Sequence, residues 1–227
     1  GSVEGRRVPA GGVYLLPFPM CHVAGYNMLV QHAVGATVVL AAQFRPDAFA
    51  ATVDRLGVTS CSLAPTMLHA LLTIASAAMT GVLAARWGER MLGAIAAALY
   101  LVTPWAIIVG SLGYNEMAVN FMLATGLLIV SDDRITPARR GMLIGVIAAA
   151  ACGAKLTSIG FVAAPLGLLL LMRLSIRQWL PAMIAAALTG VVCLLPYLLR
   201  NALCASNPVF PFATDLFGAA HWGTEQI

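Results

Sequence analysis

The chain predicts a mainly α-helical protein: a polytopic helical membrane bundle of about six spans, preceded by a small, incomplete α/β segment. Three observations carry that reading. Hydrophobic residues make up 60% of the chain and charged residues only 10%, where a globular average is roughly 45–50% and about 25%. Six apolar stretches follow Met67. Before Met67, short apolar runs alternate with helical patterns at the spacing of βαβ units.

The segment 1–66 is expected to hold three strands and two helices. Residues 13–18 (Val-Tyr-Leu-Leu-Pro-Phe) suit a short buried strand, 23–34 a helix and 36–40 (Ala-Thr-Val-Val-Leu) a second strand. A helix over 46–56 is opened by Pro46, with Asp47 in its first turn, where proline and a carboxylate are both favoured. Residues 58–63 fit a third strand, and Pro65 opens the next helix. Arg6 and Arg7 precede a strand-like segment rather than an apolar run, so no secretory signal is expected.

The region 67–227 is expected to lie in a bilayer. Its apolar stretches are 67–85, 91–112, 117–130, 141–154, 156–172 and 178–199. A span needs about 20 residues. The first, second and sixth stretches qualify outright, whereas fourteen residues make only roughly 21 Å of helix. The third and fourth therefore borrow neighbours such as Glu116 and Lys155. A single helix over 141–172 is the competing reading, but Lys155, Thr157, Ser158 and Pro165 argue for a break.

Charge sets the expected topology. Seven of the thirteen basic residues lie in three turns: Arg86 and Arg90; Arg134, Arg139 and Arg140; Arg173 and Arg177. The opposite turns carry only Lys155 and Arg200. The excess predicts that 86–90, 131–140 and 173–177 are cytoplasmic and that 113–116, 155–158 and 200–227 face outward. A bacterial inner membrane is the expected setting. The net charge of +4 is spread over these turns without a basic face, so no nucleic-acid partner is expected; the bilayer is the partner. The five cysteines lack CxxC or metal-ligand spacing, and no metal site is predicted.

The outward side collects Glu116, Lys155, Asn201 and Asn207. An ionised group inside a span costs at least a few kcal/mol unless paired or wet. Glu116 and Lys155 could therefore meet at the membrane surface and line a polar cavity, or each could cap its own helix. The small-residue run from Ala148 to Ala154 suits close helix packing and carries the Lys155 end into a bundle. Asn207-Pro208 and Pro211 after the last span suit a turn or an interfacial loop.

Two sets of words resemble known families. Leu16-Pro17-Phe-Pro19-Met-Cys-His22-Val-Ala-Gly25, Gly35-Ala-Thr-Val-Val-Leu40, Phe44-Arg-Pro46, Gly57-Val-Thr59 and Ala64-Pro65-Thr66-Met67-Leu68 resemble adenylate-forming enzymes of the acyl-CoA synthetase type over residues 12–72. That resemblance implies ATP and CoA as co-substrates and places His22 beside an acyl or aryl pocket. Thr103-Pro104, Gly113-Tyr-Asn-Glu116, Gly153-Ala-Lys155-Leu-Thr157, Arg200-Asn201 and Ser206-Asn207-Pro208-Val-Phe-Pro-Phe212 are similar to the middle of GT-C-type membrane glycosyltransferases. That one implies a polyprenyl-phosphate sugar as donor, Glu116 as a catalytic acid position, and Lys155, Asn201 and Asn207 as substrate contacts.

Each resemblance lacks a part that its chemistry needs. Residues 1–66 contain neither a lysine nor a Gly/Ser/Thr-rich phosphate loop, and Lys155 is the only lysine in the chain. The donors that would stabilise the charge on phosphorus are thus missing. The carboxylate that the glycosyltransferases carry after their first helix has no counterpart upstream of Met67. The leading expectation is a glycosyltransferase-like membrane segment joined to an acyl-CoA-ligase-like segment, without robust activity of either kind. An AMP-forming ligase-like protein is the alternative, followed by a non-catalytic membrane protein or a joined chimera.

Overall fold

The computed structural model describes residues 11–17, 20–21, 23–41, 43–112, 114–210 and 212–218. It divides into two compact units, Gly1–Ile74 with Pro104–Tyr114, and Ala75–Thr103 with Asn115–Ile227.

The first unit is built on a three-stranded parallel sheet. Strands β1 (Val13–Leu16), β2 (Thr37–Leu40) and β3 (Ser60–Cys61) lie in the order β2-β1-β3. Helices α1 (Val23–Ala33) and α2 (Pro46–Leu56) make the crossovers, as the alternation of strand and helix patterns predicts. The order puts β1 in the middle, and its Tyr14, Leu15 and Leu16 are almost wholly buried. A central parallel strand reads as such an unbroken apolar run because both its faces are covered. The Thr59 hydroxyl donates to Val13 O at 3.1 Å, and Val13 N–H donates to Thr59 Oγ1 at 3.0 Å. Helix α2 starts with Pro46 and ends at Gly57, whose φ of 57° lets its N–H reach Asp54 O and Val53 O. A left-handed residue at this place is the usual task of glycine. The third strand is shorter than the predicted 58–63.

Helix α3 (Pro65–Trp87) runs unbroken through residue 67, where the composition turns apolar. Its first turns and α5 (Pro104–Ser111) belong to the first unit. There a methyl on Gly110 would lie 2.3 Å from Thr73 Oγ1, so the two helices approach closely.

The second unit contains the rest of α3, α4 (Arg90–Val102), α6 (Glu116–Val130), α7 (Pro137–Ala154), a π-helical turn (Ile159–Ala163), α8 (Ala164–Arg173), α9 (Ile176–Ala205) and α10 (Thr214–Phe217). The break predicted within 141–172 is present: Lys155 is extended at the C-cap of α7, and the π-helical turn follows. Val130, Ile144, Val162, Leu166 and Leu170 centre the core. Helices α7 and α9 pack through small residues. A methyl on Gly141 would lie 2.1 Å from Ala182 O, and one on Gly145 would lie 2.2 Å from Ala186 O. Gly141, Gly145 and Ala149 recur every four residues, as do Ala182, Ala186 and Gly190, so each set forms one stripe. The Thr189 hydroxyl, which can donate to only one acceptor at a time, lies 3.0 Å from Met142 O across this contact.

The three arginine-bearing turns lie together. Arg86 Nη2 is 3.1 Å from Asp132 Oδ2, its Nη1 donates to Leu128 O at 3.2 Å, and Arg134, Arg140 and Arg173 line one cavity.

Among the described residues, two helices are long and apolar enough to cross a membrane, Pro65–Trp87 and Ile176–Ala205. A third span exists if Arg90–Val102 and Pro104–Ser111 are taken as one broken span. The count is thus two to three, not clearly six. Glu116–Val130 and Ile159–Arg173 occupy predicted places but are shorter; fifteen residues rise only about 22 Å against a hydrocarbon core of roughly 30 Å. Helix α9 exposes Leu180, Leu188, Val191, Val192 and Leu203 while burying Ala182. Leaving one such large side chain in water forgoes about 1.5–3 kcal/mol.

Candidate functional site

In the α/β unit, the order β2-β1-β3 makes the carboxyl ends of β1 and β3 a topological switch point, where open α/β sheets place ligands. Two polar side chains meet here: the hydroxyl of Tyr14 on β1 donates to Oγ of Ser62, the residue after β3, at 2.6 Å. β1 leads through the buried Pro17 into the word that contains His22, which lies outside the described residues. A cavity of about 100 Å³ is lined by Leu15, Pro17, Phe44, Arg45 and Phe49. The phenylalanine rings stand 5.7 Å apart. Arg45 Nη2 is 2.8 Å from Asp47 Oδ2. The hydrogen bond from Arg45, aided by its charge, holds the Asp47 carboxyl below the usual carboxylate range. Partial burial pushes the Cys61 thiol up, which makes it a poorer nucleophile. This unit offers a small apolar pocket with one exposed guanidinium, itself engaged by a carboxylate.

In the helical unit, Glu116 and Lys155 meet. Lys155 Nζ lies 2.5 Å from Glu116 Oε1, and both side chains are partly exposed. Glu116 stands in the first turn of α6 and Lys155 at the C-cap of α7. Each therefore has the charge that its own helix end favours, so capping and pairing coincide. Asn115 Nδ2 donates to Ala154 O at 2.9 Å and ties the same two helix ends. A cavity of about 560 Å³ adjoins them, lined by Cys152, Leu156, Thr157, Tyr197, Leu198 and Phe212 among others. It is apolar, whereas the predicted cavity beside Glu116 and Lys155 is polar, and neither charged residue lines it.

Asn201 and Asn207 do not join that pair. The Asn201 amide donates to Phe210 O at 3.3 Å. Asn207 is fully buried; its amide donates to Phe212 O at 2.8 Å and Gly218 O at 3.3 Å, and its Oδ1 accepts from Val209 N–H at 3.0 Å. These contacts fold the loop that follows α9. Helix α9 ends at Ser206, whose φ of 53° turns the chain into Asn207. Sequence reasoning missed Tyr197, whose hydroxyl donates to Phe210 O at 3.1 Å; its spacing of four from Asn201 puts both on one helix face. It also missed the burial of Arg140, for which the sequence carries no signal. Among the described residues no group of three or more His, Cys, Asp or Glu could hold a metal ion.

A family model described as "AMP-binding enzyme" matches residues 2–161, more than two-thirds of the chain, and crosses the change of composition at residue 67. No curated protein and no solved structure matches the chain. The family match supports the adenylate-forming resemblance; no comparison supports the glycosyltransferase one.

Proposed function

The chain belongs to the AMP-binding enzyme family, and from that premise we propose that it is an AMP-forming acyl-CoA-ligase-like protein held at a membrane. The observation that carries the reading is the family match over residues 2–161. The parallel sheet agrees with it, because β1 ends at the switch point and runs into the His22 word. In this reading the α/β unit receives the carboxylate or acyl end of the substrate beside His22, and Phe44 and Phe49 offer apolar wall. ATP and CoA are the co-substrates that the family implies.

The residues present fit the acyl side better than the phosphate side. The chain's single lysine is held by Glu116, and Arg45 is held by Asp47. We therefore expect the chain to bind a carboxylic acid, or an acyl-sulfamoyl adenosine that mimics the acyl-adenylate, without sustaining rapid adenylation alone. The test is equilibrium binding to the detergent-solubilised chain, with ATP–pyrophosphate exchange measured in parallel. The expected result is saturable binding, weakened about tenfold by His22→Ala, with acid-stimulated exchange near the protein-free level. Absence of binding for both acid and analogue would sink the reading.

Membrane attachment is part of the proposal. The long apolar helices Pro65–Trp87 and Ile176–Ala205 support it, as does the gathering of the arginine-bearing turns, which we place in the cytoplasm. A second reading, sugar transfer from a polyprenyl-phosphate donor, draws on one observation: the Glu116–Lys155 pair beside a 560 Å³ apolar cavity. In it Glu116 acts on the reacting group and Lys155 contacts substrate, while Asn201 and Asn207 hold the loop after α9. Sugar transfer by purified protein, abolished by Glu116→Ala, would favour this over the ligase reading.

A further inference from the structure

Two of the three arginine-bearing turns of the helical unit, 131–140 and 173–177, line a second cavity, of about 380 Å³, whose wall includes Asp133, Arg134, Thr136, Pro137, Arg140 and Arg173. We propose that this cavity binds a phosphate group, either a free phosphate or the phosphodiester of an anionic lipid headgroup. Neither the acyl reading nor the sugar-transfer reading uses it.

Charge is the first argument. Three guanidinium groups and one carboxylate line the cavity, so its wall is cationic. Arginine is the side chain best matched to phosphate because its planar fork makes paired, charge-assisted hydrogen bonds.

Arg140 is the second. Its side chain is only 4% exposed. Nη2 donates to Asp132 O at 2.7 Å and to Ile135 O at 3.2 Å, and lies 3.4 Å from Asp133 Oδ1. Nε is buried without a hydrogen-bond partner. A buried cationic donor left unpaired is costly. Arg140 itself lines the cavity, so an anion there would lie against this guanidinium. Asp133 offsets the charge poorly, because its Oδ1 stands 3.4 Å from Nη2 and its side chain is 81% exposed.

The third argument is the backbone. Helix α7, of eighteen residues, begins at this cavity with Pro137, and its N-cap Thr136 makes no side-chain capping bond. The free N–H groups and partial positive charge of a helix N-terminus favour an anion. The volume lies within the range of small-ligand sites, roughly 300–1,000 Å³.

The two sources of phosphate are separable. In one arm, inorganic phosphate is titrated calorimetrically into the full chain in neutral detergent. In the other, thermal unfolding is compared in nanodiscs of phosphatidylglycerol and of phosphatidylcholine. Arg140→Gln removes the buried centre but also its bonds to Asp132 O and Ile135 O, so it can unfold the turn. The exposed variants Arg134→Gln and Arg173→Gln therefore carry the test, with circular dichroism reporting the fold. A saturable phosphate isotherm, weakened roughly tenfold by each variant, identifies a free phosphate group. No isotherm, but a higher Tm in phosphatidylglycerol that each variant reduces, identifies a lipid headgroup. No effect in either arm, or effects that both variants retain in full, overturns the proposal.

Discussion

Replacing Gly145 with alanine tests whether α7 and α9 are held together by backbone contact. The added methyl would lie 2.2 Å from Ala186 O and 2.3 Å from Thr189 Oγ1, more than 1 Å inside the ~3.5 Å of ordinary van der Waals contact. The helices must separate or the side chains must shift. Overpacking of this kind costs about 1–3 kcal/mol. Separation also loosens the contact from the Thr189 hydroxyl to Met142 O, now 3.0 Å, worth about 0.6 kcal/mol in a membrane protein. Alanine returns up to about 1 kcal/mol of helix propensity, leaving a net loss of about 1–3 kcal/mol. Gly167→Ala is the control, because a methyl at Gly167 meets nothing within 4 Å and should be neutral or stabilising by up to about 1 kcal/mol. The assay is unfolding of the full chain in mixed micelles of rising dodecyl sulfate content. Gly145→Ala should unfold at clearly lower dodecyl sulfate than wild type, and Gly167→Ala at the same or higher. Coincident curves for the two variants would refute the claim that small residues set the α7–α9 distance.

Two further outcomes are expected. Asn207→Ala removes a buried amide that serves three backbone partners and should lower the local stability of the 207–218 loop by about 2–4 kcal/mol. Limited proteolysis should then cut within 207–218 at least about tenfold faster, and an unchanged cleavage rate would contradict the assignment. The Asp132 carboxyl is held below its ordinary range by the Arg134 N–H first and by Arg86 second. Its stabilising contribution is present above the unfolded-state value, about 3.9, and is lost as pH falls through the depressed folded-state value. Asp132→Asn should therefore flatten the acid side of the Tm–pH profile below about pH 4; equal slopes in variant and wild type would rule this contribution out.

Much of the element plan was legible because its signals are local. Pro46 and Gly57 bracket α2 at the predicted places, and the helix and strand windows before Met67 match α1, β1 and β2 within two residues. The break around Lys155 was readable from its polar neighbours and Pro165. Span number was less legible, because apolar composition marks helices without fixing which reach membrane length; α6 and α8 end before they do. The candidate site was legible only in part. Glu116 and Lys155 could be offered as a pair from sequence, with separate capping as the alternative, because each sits at a helix end on one predicted side. Asn201 and Asn207 stood out as polar residues after an apolar helix, but their donors face the carbonyls of the loop, a choice made by chain folding beyond residue 207.

The sequence by itself determined the apolar helices, the punctuation between them and the arginine bias of three turns. These follow from side-chain chemistry over windows of a few turns. Tertiary structure alone decided that β1 is the middle strand, that Lys155 reaches Glu116 across 39 positions, and that Arg140 is buried with its Nε unpaired while Arg134 and Arg139 stay exposed. Those outcomes depend on which helix faces meet, and small residues such as Gly141 and Gly145 set how closely they do.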